Sequence, residues 1–175
     1  MGLDMYLDRS KVVDGIKIWE HDPEEVERSN PILYKKLKEY EYTKGSSDYS
    51  WQSYSGRVGY WRKANHIHKW FVDNVQSGED DCQYHCVTKE DLISLLKATK
   101  QVADCFNEDG TVKRGKLKVV DSLLPTCDGF FFGSTKYDAW YLISIQDTIV
   151  IIEKALHGDE AIDWDNEVLV YCSSW

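Results

Sequence analysis

The sequence predicts an α+β fold, in which a small, mostly antiparallel sheet carries three or four helices packed on one face. Short apolar runs alternate with longer segments whose apolar residues repeat at helical spacing. No repeat and no linker divides the 175 residues, so we expect residues 1–175 to form a single globular domain. With 42% apolar residues and 13% aromatics, the chain has enough material for a core.

The first third of the chain predicts one strand and two helix starts. Residues 2–7 read as a short strand. Asp22–Pro23 and Asn30–Pro31 resemble the beginnings of helices, because Asp and Asn are good caps and Pro is tolerated at the first helical position. An apolar stripe at helical spacing follows, formed by Ile32, Leu33, Leu37 and Tyr40. Residues 43–56 are rich in Gly, Ser and Tyr and predict a loop.

The middle of the chain predicts strands and helices in alternation. Residues 57–61 predict a strand, and residues 64–75 predict a helix that ends at Gly78. Its inward stripe consists of Ala64, Ile67, Phe71 and Val75, with Trp70 at the margin. Residues 84–87 predict a further strand. Thr88 and Asp91 have the spacing of a capping box and open an amphipathic helix, after which residues 107–118 predict a loop.

The last third predicts the longest helix and a closing strand. Thr135 and Asp138 repeat the spacing of a capping box at the start of the helix. His157 and Gly158 close it, with His favourable to the helix dipole at that end. Residues 167–173 predict the final strand. Apolar residues in the helix recur at steps of three and four, as Leu142, Ile145, Ile149, Ile152 and Leu156.

Charge and hydropathy exclude several classes of protein. The net charge of −9 argues against general affinity for DNA or RNA, because such binders present a basic face. No apolar run reaches the roughly 18 residues of a membrane helix, and residues 1–7 do not resemble a signal peptide. We therefore expect a cytoplasmic protein without a membrane or nucleic-acid partner. Five scattered cysteines fit free thiols in a reducing compartment.

Cys82, His85 and Cys86 resemble a metal cluster in their spacing. On a strand, however, the two cysteines share a face at a separation of about 13 Å, while His85 points to the opposite face. Such an arrangement cannot close a tetrahedral site. We interpret the two cysteines as buried strand thiols, and we expect neither a metal nor a cofactor.

Two segments, residues 61–71 and 130–141, concentrate aromatic rings, cations and hydrogen-bonding groups. A core needs the rings but has no use for so many cations and hydroxyls beside them. The mixture suits a pocket for a flat, anionic, nucleotide-like ligand, because rings stack on bases while Lys, Arg and amides hold phosphate. The candidate ligand-binding residues are Trp61, Arg62, Lys63, Asn65, His66, Lys69, Phe131, Phe132, Ser134, Thr135, Tyr137 and Trp140.

Ordinary structural roles compete with this interpretation. Residues two apart on a helix point about 200° from each other, so His66 and His68 cannot grip one metal ion, and a solvated helix face is the simpler account. Of the three consecutive residues Phe130 to Phe132, at least one must be exposed, pack at an edge or line a cavity. Ser134 or Thr135 can cap a helix. No catalytic motif is present, so we name no catalytic residue.

Several segments carry a family resemblance. They are residues 1–7, 59–65, 67–72, 80–82, 124–125, 129–135, 137–138, 140–141 and 173–175. Through them the chain resembles a family of uncharacterised bacteriophage and prophage proteins, in which a small residue stands at the position of His66. A phage setting implies an accessory role in the host cytoplasm, either countering host immunity or redirecting host proteins.

Three functions are consistent with these observations. The leading hypothesis is a counter-defence protein that sequesters a nucleotide-like small molecule without turning it over, as a homo-oligomer in keeping with other phage proteins of that kind. The second is an inhibitor of a host defence protein that uses the acidic residues 159–167 and an exposed aromatic patch as its interface. The third is a nucleotide or phosphoester hydrolase that pairs His66 or His68 with Asp80 or Asp81, although the two acids beside Gly78 are more simply loop acids.

Overall fold

The computed structural model describes residues 2–13, 16–17, 27–32, 34–35 and 55–175. Within these ranges five strands form one sheet in the order β2–β1–β5–β4, and β3 also pairs with β1. Every pairing is antiparallel, which confirms the predicted type of sheet. The strands are β1 (Asp4–Val13), β2 (Ile16–Lys17), β3 (Ser55–Arg62), β4 (His85–Val87) and β5 (Glu167–Ser174).

Four helices of seven or more residues accompany the sheet in the described ranges. They are α1 (Asn65–Asn74), α2 (Lys89–Ala103), α3 (Leu117–Leu123) and α4 (Ala139–His157). The predicted α+β class is therefore confirmed. None of the helices in the described ranges combines the length and the apolar character that crossing a membrane requires.

The core lies between one face of the sheet and helices α1 and α4. Met5 and Leu7 of β1 point into it and are fully buried. Phe71 of α1 stacks on Tyr171 of β5 with ring centroids 4.0 Å apart and planes 9° apart. Each side chain of this size contributes roughly 1.5–3 kcal/mol on leaving water. Of the inward positions that the sequence predicts for α1, Ala64, Ile67 and Phe71 are confirmed as core residues, and Val75 is partly buried against the core.

Helix caps follow the sequence at the start of α2 but not at the start of α4. Thr88 and Asp91 form the predicted capping box, with Asp91 N donating to Thr88 Oγ1 over 3.1 Å. The predicted cap at Thr135 is wrong, because the cap of α4 is Asp138, three residues later, and the helix begins at Ala139. The Asp138 carboxylate accepts two backbone N–H groups of the first turn and also complements the helix dipole.

Helix α3 lies partly in the predicted loop 107–118. Residues 107–116 are indeed non-helical, but Leu117 begins a short helix. Val120 and Leu124, four residues apart, are both fully buried and attach this helix to the core. So brief an apolar stripe beside the basic residues of a loop does not distinguish a helix from a loop in the sequence.

Several predictions fall on the first third of the chain. The predicted strand at residues 2–7 is confirmed and extends to Val13 as β1. The predicted helix start at residues 22–23, the positions of Leu33, Leu37 and Tyr40, and residues 43–54 of the predicted loop lie outside the described residues. Ser55 and Gly56, the last two residues of that loop, belong to β3. Ile32 is 76% exposed and so does not belong to the core.

Cys82 and Cys86 are exposed, so their interpretation as buried strand thiols is wrong. Strand β4 is only three residues long, and Cys82 lies before it in a loop, with a φ of 57°. Cys86 pairs with Val170 on the face of the sheet opposite to Tyr171. Within the described residues, no group of three or more His, Cys, Asp or Glu side chains could hold a metal ion.

Candidate functional site

The two segments that the sequence singles out are neighbours, and Asn65 joins them. This side chain is fully buried in the first turn of α1. Its Nδ2 donates to the carbonyls of Phe132 (3.2 Å) and Ser134 (2.9 Å), and its Oδ1 accepts the backbone N–H of Cys127 (3.2 Å). We call this set of contacts the Asn65 clamp. The segments therefore meet by direct packing through Asn65.

Two cationic side chains and the backbone of the loop that carries two rings come together on the surface beside the clamp. A methyl group placed on Gly2 would lie 3.4 Å from Lys63 Cε, 3.9 Å from the Phe131 carbonyl oxygen and 4.0 Å from Arg62 Nη2. These three residues therefore surround one point near the start of the chain. Together with Phe130, whose ring centroid lies 4.2 Å from that of Phe131, they form what we call the cation–ring corner.

The side chains of the cation–ring corner are open to solvent. Phe130 is 79% exposed and Phe131 is 50% exposed. The Arg62 side chain is 59% exposed and pairs only loosely with Asp4, at 3.8 Å. Lys63 is also exposed, and it forms no salt bridge with any residue in the described part of the chain. The two rings and the two cations are thus open to solvent, on segments whose backbones approach each other at Gly2.

The backbone of the corner adopts left-handed conformations that side chains rarely take. Lys63 has a φ of 58° and Phe131 a φ of 67°, and Gly133 lies against Lys63 with a φ of 97°. A Cβ atom on Gly133 would lie only 2.9 Å from Lys63 Cβ and 3.0 Å from the Lys63 carbonyl oxygen. Left-handed non-glycine residues cost about 1–3 kcal/mol each, and they concentrate at ligand-binding and active sites.

A groove begins two residues beyond Gly133. Its volume is about 430 Å³, within the range of small-molecule sites. Its walls combine apolar groups with one ammonium and two carboxylates. They are formed by residues 109–112, Leu117 and residues 135–139, which include the predicted site residues Thr135 and Tyr137.

Comparison with protein-family models, with curated proteins and with solved structures finds no match for this chain. The resemblance to phage and prophage proteins therefore stays a prediction.

Four of the predicted ligand-binding residues are buried in this arrangement. Trp61 is 4% exposed and donates its indole N–H to Thr148 Oγ1 over 2.8 Å. Phe132 is 8% exposed and contacts His68 edge-on, with ring centroids 5.3 Å apart. Asn65 and His66 are also buried, and their polar atoms bond within the protein. These residues support the site from beneath, while Arg62, Lys63 and Phe131 form its surface.

Four other predicted residues lie elsewhere on the surface. Lys69 pairs with Asp73 at 2.9 Å along α1. Ser134 accepts the backbone N–H of Lys136 over 3.1 Å and is exposed. Trp140 is 77% exposed in the first turn of α4, and no contact within the described residues joins it to residues 61–71. Tyr137 is half-buried and donates its hydroxyl hydrogen to Asp121. Burial, followed by this hydrogen bond, raises the pKa of Tyr137.

His66 and His68 are both buried, so the interpretation of a solvated helix face is wrong. Helix α1 is covered on both of the faces that these residues occupy. The His66 ring lies against Tyr141 of α4, with centroids 4.0 Å apart, and its Nε2 lies 2.9 Å from Ser144 Oγ. The Ser144 hydroxyl donates its hydrogen to the Tyr141 carbonyl, so the His66 ring nitrogen is the donor to Ser144.

The burial of His66 predicts that the protein loses stability in acid. Burial lowers the pKa of His66 to about 3 from 6.5, so between these values the unfolded chain binds one proton more than the folded chain. The free energy of unfolding is unaffected by His66 above pH 6.5 and falls as the pH drops towards 3, by about 2 kcal/mol at pH 5. Urea unfolding between pH 7 and pH 5 measures this loss.

The variant His66→Gln keeps a donor for Ser144 and removes the titration. Between pH 7 and pH 5, the free energy of unfolding of the variant should fall by about 2 kcal/mol less than that of the unaltered protein. His157→Gln, at the exposed end of α4, is the matched control and should keep the original pH dependence. An unaltered slope in His66→Gln would contradict the assignment.

His68 joins a loop acid to a buried tyrosine. Its Nε2 lies 2.9 Å from Asp80 Oδ2, and its Nδ1 lies 2.8 Å from the Tyr171 hydroxyl. A carboxylate only accepts, so Nε2 carries the proton towards Asp80, and Nδ1 accepts from Tyr171. Burial, followed by the nearby Asp80 charge, raises the pKa of Tyr171 well above 10. The sequence offered no signal for Tyr171, which lies 103 residues from His68.

The neighbouring pair of Asp81 and His85 lies at the surface. His85 Nε2 is 2.9 Å from Asp81 Oδ1, and the same oxygen accepts the Gln83 backbone N–H over 2.9 Å. The Gln83 N–H and His85 lower the pKa of Asp81, in that order. Asp80 and Asp81 thus each accept a hydrogen bond from a histidine, and this structural role accounts for both acids without a catalytic one.

Proposed function

We propose that this protein binds and sequesters an anionic, ring-bearing small molecule of the nucleotide class at the cation–ring corner. The observation that carries the proposal is the approach of the Arg62 and Lys63 side chains and of the Phe131 backbone carbonyl to one point at Gly2. The side chains of all three residues are open to solvent. On a chain of net charge −9, two adjacent cations beside two exposed rings form an unusual surface.

Each group at the corner has a separate task in recognition. Phe130 and Phe131 stack on the rings of the ligand, a contact worth roughly 1–3 kcal/mol per base. Arg62 holds phosphate through paired N–H groups, and Lys63 adds a point charge. The groove after Gly133 contains the ammonium of Lys136 but also the carboxylates of Asp109 and Asp138, so we assign it no part in holding the anionic ligand.

The rigid setting of the corner supports capture rather than turnover. The Asn65 clamp fixes the loop that carries the rings, so little ordering is left to be done when a ligand binds. His68 lies near the clamp, but it is 1% exposed and both of its ring nitrogens are engaged by Asp80 and Tyr171. Neither nitrogen is presented to a substrate, which makes the hydrolase alternative the weaker one.

The phage resemblance supports a specific purpose for such capture. A small protein that removes a nucleotide-like immune signal from the host cytoplasm needs a tight site and no chemistry. We propose this counter-defence role for the chain, in keeping with the family that its sequence resembles.

Isothermal titration with a panel of nucleotides tests the binding proposal. The panel consists of ATP, ADP-ribose, and cyclic di- and trinucleotides, each titrated into the full chain. We expect at least one to bind, and the double variant Arg62→Ala/Lys63→Ala to weaken that binding by about 100-fold or more, because each charge-assisted phosphate contact is worth roughly 1.5–3 kcal/mol. Phe131→Ala should weaken it about tenfold or more.

A matched variant separates contact with the ligand from a general effect of charge. Lys97→Ala/Lys118→Ala removes the same two charges from exposed positions of α2 and α3 and should bind as the unaltered protein does. If the two double variants lost equal binding affinity, the effect would come from net charge and not from contact with the ligand. Absence of binding across the whole panel would contradict the proposal.

Inhibition of a host protein remains the second candidate, because the exposed rings Phe130 and Trp140 would also suit a protein partner. Its acidic interface is smaller than the sequence suggested. Glu167 is 3% exposed and pairs with Arg9 at 2.8 Å and with Lys11 at 3.2 Å. For this candidate, reversing the exposed charges Asp159 and Asp165 would abolish capture of a host partner, and Arg62→Ala/Lys63→Ala would not.

A further inference from the structure

Helix α4 has apolar residues on the side that faces away from the sheet. Its buried side packs on the core through Ile145 and Ile152. On its outward side Ile143 is 44% exposed and Val150 is 50% exposed. These two aliphatic side chains lie among exposed polar residues, and no described residue covers them fully.

The outward apolar residues are spaced for contact with another helix. Ile143 and Val150 are seven residues apart, so they lie almost in line along the helix axis. Asp147 and Lys154 have the same spacing and form one flank of this line. Both charges are exposed, and neither forms a salt bridge with another described residue. We call these four residues the α4 stripe.

The charges of the α4 stripe complement those of an antiparallel copy of the same stripe. In an antiparallel pair of identical helices, equal flanks face each other. A twofold axis beside Val150 then sets Asp147 of one copy opposite Lys154 of the other, and the same pair recurs on the far side of the axis. Val150 packs against its own counterpart, and Ile143 packs against the last turn of the second helix.

We infer that the α4 stripe binds a second copy of this chain and forms a symmetric dimer through antiparallel α4 helices. A chain of net charge −9 repels its copies, so two opposite-charge pairs at the contact give the pairing its register. One helix face buries less than the roughly 800 Å² per partner of a stable interface, so we expect a dissociation constant in the micromolar range.

Sedimentation velocity of the full chain from about 1 to about 200 µM tests the inference. We expect the mass to rise with concentration from 20.4 kDa to twice that value. Asp147→Lys and Lys154→Asp each set like charges opposite one another and should weaken the dimer about tenfold or more. The double variant Asp147→Lys/Lys154→Asp restores opposite charges and should return to within about threefold of the original affinity.

The exchange of charges makes the test specific to the α4 stripe. All three variants change only exposed positions, and circular dichroism checks that each one folds. A monomer at every concentration would overturn the inference. A dimer that the single variants leave intact, or one that the double variant fails to restore, would equally exclude the α4 stripe as the interface.

Discussion

Replacing Asn65 with Ala is expected to destabilise the protein by about 3 kcal/mol, because it leaves buried partners of the side chain without hydrogen bonds. The carbonyl of Phe132 and the N–H of Cys127 both lose their bond to a fully buried residue. The carbonyl of Ser134 loses the shortest of the three bonds, at 2.9 Å. Urea unfolding followed by circular dichroism measures the loss.

Asn74→Ala is the matched control for this experiment. Asn74 ends the same helix, is exposed, and donates only to the Trp70 carbonyl one turn earlier. We expect its replacement to change the free energy of unfolding by less than about 0.5 kcal/mol. A loss below about 1 kcal/mol in Asn65→Ala would show that the loop is held by other contacts. In that case the rigid corner that supports ligand capture would lose its structural basis.

Replacing His68 with Leu is the second change with a large expected effect, a loss of about 3 kcal/mol. The variant removes the bond to the Asp80 carboxylate and leaves the hydroxyl of Tyr171, which is fully buried, without a partner. Leucine occupies a volume similar to that of the ring, so the loss reports the polar contacts rather than a cavity. Urea unfolding at pH 7 measures it.

His85→Leu serves as its control, since His85 also holds a loop acid, Asp81, but lies near the surface. Removing an exposed pair of this kind has little effect on the free energy of unfolding. Tyr171→Phe tests the other end of the network and should cost about 1–2 kcal/mol, because it leaves His68 Nδ1 without its donor. Equal losses in His68→Leu and His85→Leu would contradict the buried network.

These predictions also indicate how the candidate site is built. The cation–ring corner consists of exposed side chains on two backbone segments, and the segments are held together from beneath by Asn65. A residue beneath the corner can therefore alter binding without touching a ligand. Comparing nucleotide binding with stability for Asn65→Ala and for Arg62→Ala/Lys63→Ala separates the two effects. Asn65→Ala should lower both nucleotide binding and stability, whereas Arg62→Ala/Lys63→Ala should lower nucleotide binding alone.

The sequence was informative where a feature depends on near neighbours along the chain. The period of apolar residues predicted α1, α2 and most of α4, and the spacing of Thr88 and Asp91 predicted the capping box. The run from Phe130 to Phe132 predicted that at least one ring would be exposed, pack at an edge or line a cavity, and two of the rings are exposed. It also marked two segments that prove to be neighbours.

The sequence failed where burial depends on distant partners. His66 and His68 lie on different faces of α1, and each polar ring is buried only because a hydroxyl from elsewhere meets it. Ser144 is 78 residues from His66, and Tyr171 is 103 residues from His68. The burial of Trp61 is equally hidden from the sequence, because its indole N–H donates to Thr148, 87 residues away. A single sequence contains no record of such pairs.

The sequence by itself determined the fold class, the antiparallel sheet and the composition of the two ring-and-cation segments, because these follow from local periodicity and residue type. Only the tertiary structure decided which members of those segments face solvent. It buried Trp61, Asn65, His66 and Phe132 and left Arg62, Lys63, Phe130 and Phe131 exposed. The physical reason is that a polar or aromatic side chain is buried when the folded chain supplies its hydrogen-bond and packing partners, and long-range contacts alone supply them.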